Sequence, residues 1–285
     1  MPRLGIIGGC GLYEIEGLED PKWIKVETPF GKPSDEYLCA KLSGVELVFL
    51  PRHGRDHHLL PSELNCTANI YGMKKLGVEM IISVSTVGSL KEEIKPLDIL
   101  IPDQYVDRTN QPRNITFFGN GIVAHVAFAN PSCPELGRIL YEATKSQGLP
   151  VHSGGTYLNM EGPAFSTKAE SDLYRSWGMD VIGMTNMPEA RCAREAEICY
   201  ATMAMITDYD CWHESEDVSI DMIIQNLLKN VDNAKKVLKE VITKLPAKRE
   251  CICASALKDT ILTKPDAISD AIKKKLDIII GKYIK

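Results

Sequence analysis

The sequence predicts an α/β fold in which a central mixed, largely parallel β-sheet is flanked by helices. Short runs of apolar and β-branched residues recur along the 285 residues, and stretches with helical spacing lie between several of them. The runs are apolar almost throughout, which is typical of strands that are covered on both faces. No linker-like segment divides the chain before residue 248. We therefore expect one domain over residues 1–247 and a C-terminal tail, residues 248–285, packed on the same domain.

In chain order, strands are predicted at the apolar runs 5–8, 47–51, 80–84, 99–102, 155–160, 181–184 and 201–207. The 3.6-residue period predicts helices over 62–75, 134–145, 166–177 and 217–245, the last of which should end at Pro246. The tail combines three lysines at 273–275 with three isoleucines at 278–280. We interpret it as a surface helix folded over its own domain; binding of a membrane or a partner is the alternative.

The composition of the chain argues against several classes of function. The net charge of −5 argues against a nucleic-acid or anionic membrane surface, because such partners need a clustered basic face. There is no apolar run of membrane-spanning length and no secretory leader at the start, so a cytoplasmic location is expected. The nine cysteines are odd in number and scattered along the chain, which indicates neither a zinc site nor a disulfide framework.

A glycine-rich turn follows the first strand, at residues 5–11. Such a turn can present backbone N–H groups to a phosphate, and we favour anion binding over a purely structural turn. A dinucleotide fingerprint that starts at Gly9 fails because Glu14 takes the place of its last glycine, and no P-loop is present. A dehydrogenase or an NTPase is therefore disfavoured.

A basic loop follows the strand at 47–51 and contains Arg52, His53, Arg55, His57 and His58. The planar fork of an arginine suits a two-point grip on phosphate, and a neighbouring histidine can add a donor or hold a sugar hydroxyl. A metal site is the alternative, but two cations would repel a divalent ion. We interpret this loop as a phosphate clamp rather than a solvated loop.

The strand at 201–207 runs directly into Asp208 and Asp210, and open α/β sheets bind ligands beyond the carboxyl ends of their strands. Hydroxyl-rich residues 83–89 and the aromatic Phe165 follow other strands. No nucleophile with its own base is apparent. The combination suits a reaction in which bound phosphate attacks while the protein protonates a leaving group.

Ordered motifs carry a family resemblance, at residues 5–12, 28–35, 52–55, 87–90, 161–166, 184–185 and 207–210. In register from about residue 4 to 257, they resemble the trimeric purine nucleoside phosphorylase family, in particular its branch that acts on 5′-methylthioadenosine. The resemblance implies a homotrimer, with a hexamer left open. It also implies phosphorolysis of 5′-methylthioadenosine to adenine and 5-methylthioribose 1-phosphate, with phosphate as co-substrate and no cofactor or metal.

Residue roles follow from the same resemblance. Asp208 is the implied acid at the purine N7, and Asp210 and Tyr209 are further substrate contacts. Met184 would line the ribose, Phe165 would flank the base, and a neighbouring subunit would contribute His125. The implied phosphate ligands are Cys10, Arg52, His53, Ser85, Thr86 and Thr185.

Cys10 departs from the family, whose members usually have Thr or Ser there. Because a thiol is a weaker donor than a hydroxyl, we expect weakened phosphate affinity and a lower phosphate KM after Cys10→Ser.

Two further comparisons within the family concern specificity. Members that act on 6-oxopurines carry Asn in place of Asp208 and Glu in place of Ser166, so both residues favour adenine. Relatives that read a 5′-hydroxyl place a His at Ile220, whereas Ile220, Ile223 and Ile224 offer an apolar wall to a methylthio group. The alternatives are a phosphorylase that prefers inosine or methylthioinosine, and a nucleotide-binding regulator without catalysis.

Four cysteines, Cys133, Cys199, Cys251 and Cys253, resemble those of heat-stable family members, in which disulfides occur. Reduced thiols are expected here.

Overall fold

The computed structural model describes residues 2–9, 11–110, 115–213 and 220–284. In these ranges the strands are β1 (Arg3–Gly8), β2 (Glu19–Ile24), β3 (Tyr37–Leu42), β4 (Val45–Pro51), β5 (Val78–Ser89), β6 (Ile99–Ile101), β7 (Gln104–Asp107), β8 (Val151–Ser153), β9 (Thr156–Asn159), β10 (Val181–Gly183) and β11 (Cys199–Asp208). The helices are α1 (Cys66–Lys75), α2 (Pro134–Ser146), α3 (Lys168–Ser176), α4 (Asn186–Glu195), α5 (Ile220–Lys244), α6 (Asp270–Lys275) and α7 (Asp277–Ile280).

All these strands join one mixed sheet with β5 at its centre. β5 pairs in parallel with β1 on one side and with β11 on the other, and its last residues pair antiparallel with β10. β1 also pairs in parallel with β4. The carboxyl ends of β1, β4, β5 and β11 therefore meet at one edge, as the predicted fold class requires.

The two faces of the sheet carry separate apolar layers, because successive side chains of a strand point to opposite sides. Met203 and Met205 of β11 pack with α2 and α5 residues such as Leu136 and Val237. Ala204 and Ile206 belong to the other layer, together with residues of α1 and α4. Burial on both faces explains why these strands are apolar throughout.

The strands predicted from apolar runs are present, and β5 and β11 are longer than expected. The pattern did not reveal β2, β3, β7, β8 or α4. β2 is mostly exposed, and α4 begins three residues after the end of the short strand β10. The predicted 62–75 helix consists of a short 3-10 turn, Pro61–Glu63, followed by α1.

The tail contributes side chains to the layer that contains α1 and α4: Leu257, Ile268, Leu276, Ile279 and Ile280. It holds two short helices, α6 and α7, in place of the single helix expected there. Its division from the rest of the chain at residue 248 stays a prediction. Within the described ranges, no helix combines the length and apolar character needed to cross a membrane.

Candidate active site

A cavity of about 560 Å³ opens at the edge where β1, β4, β5 and β11 end. Its lining contains many of the residues that the sequence singled out: Arg52, His53, Ser85, Thr86, Phe165, Met184, Thr185, Asp208, Asp210 and Ile223. Residues far apart in the chain meet here because parallel strands bring their carboxyl ends together.

Asp208 is the last residue of β11, and it is almost completely buried. Its Oδ2 accepts a hydrogen bond from Thr207 Oγ1 at 2.7 Å, and its Oδ1 accepts one from the backbone N–H of Asp210 at 2.8 Å. Burial raises the pKa of Asp208, and these two hydrogen bonds partly offset that effect.

Asp210 lies beside it with a left-handed backbone, at φ 55°, and is also buried. Burial raises the pKa of Asp210 to about 6, opposed by the nearby Ser171 hydroxyl and reinforced by the charge of Asp208. Within the described residues, Asp210 Oδ2 has no hydrogen-bond partner. A buried carboxyl oxygen in this state has unused capacity to accept a hydrogen bond.

Gly88 of β5 makes room for the two acids. A Cβ at this position would lie 3.1 Å from Asp208 Oδ1 and 3.4 Å from Asp210 Cβ. Its backbone φ is not left-handed, so the close approach of the acids, rather than strain, is what favours glycine here.

Two asparagines of helix α5 form hydrogen bonds with the backbone at the end of β11. Asn226 donates to the carbonyl of Thr207 at 2.8 Å, and Asn230 donates to that of Ile206 at 2.9 Å. Asn230 also lines the cavity, and its Oδ1 is a buried acceptor without a partner in the described part of the chain. Neither asparagine stood out in the sequence; polar residues on the apolar stripe of a helix were the available signal.

The guanidinium of Arg52 is engaged differently from the expected two-point grip on phosphate. Its Nε donates to Glu189 Oε1 at 2.6 Å, and Nη2 donates to Ser83 Oγ at 2.5 Å and to Glu189 Oε2 at 3.3 Å. Nη1 donates to the carbonyl of Val84 at 2.9 Å. Glu189 thus accepts hydrogen bonds from Nε and Nη2 of the guanidinium. The donor that remains for a ligand is the second hydrogen of Nη1.

Glu189 was not among the predicted site residues, because helix α4 was not predicted and its burial appears only in the folded chain. It also accepts hydrogen bonds from Ser83 Oγ at 2.8 Å and from Tyr200 OH at 2.9 Å. The ion pair with Arg52 is buried on both sides, with side chains 4% and 1% exposed. Arg55, the other arginine of the basic loop, is bound to Asp35 and Glu36 away from the cavity.

His53 is a neutral acceptor rather than a cation. Burial, helped by the charge of Arg52, lowers the pKa of His53 to about 4. Its Nδ1 lies 2.8 Å from the carbonyl of Leu59, so the ring proton resides on Nδ1 and Nε2 is left as an acceptor. His57 stacks on it with ring centroids 4.8 Å apart. His53 can therefore accept a hydrogen bond from a sugar hydroxyl or from a protonated phosphate oxygen.

Residues 83–89 do not come after a strand, contrary to the prediction, but are part of one. They continue β5, which pairs with β11 as far as Gly88. Ser85 Oγ is 3.1 Å from Tyr157 OH, whereas Thr86 is exposed on the cavity wall. Thr185 lies directly before α4, so the positive end of a ten-residue helix reaches the cavity there.

Phe165 and Met184 both line the cavity. Phe165 is 69% exposed, which places it at the rim and not in the core. Ser166 lies behind the wall: it is buried, and its Oγ is 3.7 Å from the sulfur of Met160, which does line the cavity.

Tyr209 does not line the cavity, although the resemblance implied a substrate contact. Asp208 and Asp210 point into the cavity, and the residue between them points the other way. The Tyr209 hydroxyl donates to the carbonyl of Glu92 at 3.2 Å, and its ring stacks on His213. The alternation of neighbouring side chains at a strand end explains the difference.

The apolar wall of α5 follows the helical period. Ile223, Leu227 and Val231 line the cavity, spaced four residues apart. Ile224 is 48% exposed and is not part of the wall. The Ile220 side chain and the whole of Cys10 lie outside the described residues, so both assignments stay predictions.

His125 does not line the main cavity. It lines a second, smaller cavity of about 300 Å³ together with Phe128, Arg191 and Glu195, and it is exposed. Burial raises the pKa of Glu195 to about 7. The proposed contribution of His125 to a neighbouring subunit's site stays a prediction.

A sequence profile described as the phosphorylase superfamily matches residues 3–243. The chain belongs to this superfamily. Among relatives in the phosphorylase superfamily, S-methyl-5′-thioadenosine phosphorylase from Geobacter sulfurreducens is 60% identical and covers 99% of each chain. The corresponding phosphorylase from Koribacter versatilis is 57% identical over 99% of this chain and 96% of its own.

Solved phosphorylase structures have the same fold. A methylthioadenosine phosphorylase from an antarctic soil metagenomic library is 48% identical, with a TM-score of 0.93 over 98% of both chains. Methylthioadenosine phosphorylase from Schistosoma mansoni in complex with adenine is 30% identical, with a TM-score of 0.80 over 99% of this chain and 98% of the other. The family resemblance and the fold class are thereby confirmed.

Proposed function

We propose that this protein catalyses phosphorolysis of S-methyl-5′-thioadenosine, giving adenine and 5-methylthio-α-D-ribose 1-phosphate in methionine and purine salvage. The observation that carries the proposal is the pair of buried acids, Asp208 and Asp210, in a cavity whose other walls carry Arg52, His53 and hydroxyl groups. The side of the cavity with the two acids suits a purine, and the walls with Arg52, His53 and the hydroxyl groups suit an anion. Full-length relatives that carry this name, at 57–60% identity, support it.

The phosphate site is proposed at the glycine turn, the Nη1 hydrogen of Arg52, Nε2 of His53, Ser85, Thr86 and Thr185 at the start of α4, with Cys10 as a further ligand. Because Arg52 is neutralised by Glu189, the helix terminus and the hydroxyls provide much of the attraction. A neutral His53 that accepts a hydrogen bond suits phosphate in a form that keeps one proton.

The base site is proposed at the two acids, with Phe165 at the rim. Adenine offers a donor at its 6-amino group and an acceptor at N7. Asp208 is the proposed acid at N7, and Asp210, whose Oδ2 has no partner in the described chain, is the proposed acceptor for the amino group. Both pKa values are raised by burial, and a bound phosphate anion would raise them further, so the pair can keep a proton at neutral pH.

In the reaction, a phosphate oxygen forms a bond to C1′ of the ribose while the bond from C1′ to N9 breaks. The electron pair of that bond moves onto the purine, and a proton from Asp208 reaches N7, so that neutral adenine leaves. Met184 is proposed to line the ribose, and Ile223, Leu227 and Val231 to surround the methylthio group with Ile220. These aliphatic side chains themselves offer a 5′-hydroxyl no hydrogen-bond partner.

The direct test is product analysis after incubation with methylthioadenosine, with and without inorganic phosphate. We expect free adenine and a methylthioribose phosphate in the presence of phosphate, and neither product in its absence. Adenine release without phosphate would indicate a hydrolase, and no release under either condition would indicate the regulatory, non-catalytic alternative.

A preference for 6-oxopurines is the second candidate, and competition between methylthioadenosine and inosine or methylthioinosine separates the two. Phosphate as sole co-substrate without a cofactor, a trimer rather than a hexamer, and a cytoplasmic location remain predictions. The mass of the assembly in solution decides the oligomeric state.

A further inference from the structure

The nine cysteines were interpreted as scattered, and for four of them the structure shows otherwise. The sulfur atoms of Cys133, Cys199, Cys251 and Cys253 all lie within 4.8 Å of one another. Cys133, Cys199 and Cys253 are at most 2% exposed, and Cys251 is half-buried. The family resemblance grouped these four residues, but their wide spacing along the chain does not show that all four sulfurs meet.

Three separate segments build this cysteine cluster. Cys133 directly precedes helix α2, and its backbone N–H donates to the carbonyl of Tyr200 at 2.8 Å, which ties it to the start of β11. Cys199 is the first residue of β11. Cys251 directly precedes the 3-10 turn Ile252–Ser255, and Cys253 lies within it. Ile252 between them is 70% exposed, whereas both sulfurs belong to the cluster.

We propose that Cys133, Cys199, Cys251 and Cys253 bind one structural zinc ion. Four thiolates are a common ligand set for structural zinc, and bonds of about 2.3 Å in a tetrahedron place neighbouring sulfurs about 3.8 Å apart. The four sulfurs lie within 4.8 Å of one another, and those of Cys199 and Cys251 are 3.1 Å apart. One ion uses all four sulfurs at once.

The position of the cysteine cluster, far from the candidate active site, indicates a structural role for the ion. Cys199 opens β11 and Asp208 ends it, so the cluster and the proposed acid are about 30 Å apart at about 3.3 Å per residue. The ion would fasten the beginning of the C-terminal tail to α2 and to the central sheet. Lys282 of the tail also contacts this turn, donating to the carbonyl of Ala254 at 2.9 Å.

The test is the metal content of the purified full-length protein, measured by elemental analysis and by native mass spectrometry. We expect about one zinc per chain, released when an organomercurial modifies the thiols. Cys253→Ser should reduce zinc below about a tenth of that level and lower the melting temperature. Cys39→Ser, which removes a half-buried cysteine outside the cluster, should retain the zinc.

If Cys253→Ser fails to fold, the wild-type protein still decides the question. Replacement of the ion by cobalt(II) should give the intense visible absorption of a tetrahedral tetrathiolate centre. A metal-free native protein overturns the proposal, whether its unreduced mass shows the loss of hydrogens expected for disulfides or thiol titration of the unfolded chain finds all nine cysteines free. These outcomes are independent of the phosphorolysis assay.

Discussion

The backbone N–H of Asp210 donates a hydrogen bond to Asp208 Oδ1 at 2.8 Å, which holds the two acids of the candidate active site together. The left-handed backbone of Asp210 and the absence of a side chain at Gly88 make this geometry possible. Two carboxyl groups held this close in a buried site titrate together rather than independently. One protonated and one ionised carboxyl group is the state that suits adenine.

Asp208→Asn should lower kcat/KM for methylthioadenosine by about 10²- to 10⁴-fold, the range for loss of a general acid. The amide keeps the shape of the side chain but cannot deliver a proton to N7. Asp172→Asn, at an exposed position on α3, is the matched control and should change little. Steady-state kinetics of both variants provides the comparison, and turnover near the wild-type level for Asp208→Asn would refute the assignment.

Asp210 should make stability depend on pH. Its pKa is raised in the folded state to about 6, above the ordinary value, so its contribution to stability is fully present below about pH 4 and is lost as the pH rises through 6. A shift of this size corresponds to about 2–3 kcal/mol. Asp210→Asn cannot ionise, so the variant should not lose this stability as the pH rises.

Melting temperatures at pH 4.5 and pH 8 check the prediction for Asp210→Asn. We expect the variant to be more stable than the wild type at pH 8 and close to it at pH 4.5. A variant that is less stable at pH 8 would contradict the proposed cost of burying this charge.

Glu189→Gln should destabilise the fold, because it leaves the buried guanidinium of Arg52 without its counter-charge. Removal of one partner from a buried pair costs about 3–5 kcal/mol. Glu142→Gln breaks an exposed ion pair with Arg138 on α2 and should cost less than about 1 kcal/mol. Denaturant unfolding of both variants measures the difference, and equal losses would show that the Arg52 pair is not the buried link described above.

Ile223→Ala should weaken discrimination at the 5′ end of the sugar. Loss of apolar contact with a methylthio group is worth about 1–3 kcal/mol, so kcat/KM for methylthioadenosine should fall about 10- to 200-fold relative to adenosine. Ile224→Ala, at the neighbouring exposed position outside the cavity, is the control. If both variants lose the preference equally, α5 does not form the proposed wall.

Much of the fold could be predicted because β5 and β11 are buried on both faces and therefore apolar throughout. Asp208 stood out because a carboxylate at the end of such a strand has no structural reason to be there. The partner of Arg52 could not be predicted, since Glu189 lies 137 residues away and only the folded chain brings them together. The outward direction of Tyr209 also appears only in the folded chain. The family resemblance grouped the four cysteines, but only the structure shows that all four sulfurs lie within 4.8 Å of one another.

The most direct measurement is a crystal structure with adenine and phosphate bound. The proposed mechanism places the purine N7 within about 2.6–3.2 Å of a carboxyl oxygen of Asp208, with phosphate on the other side of the ribose site against His53 and Thr185. A purine whose N7 faces away from Asp208, or a phosphate bound outside this cavity, would contradict it.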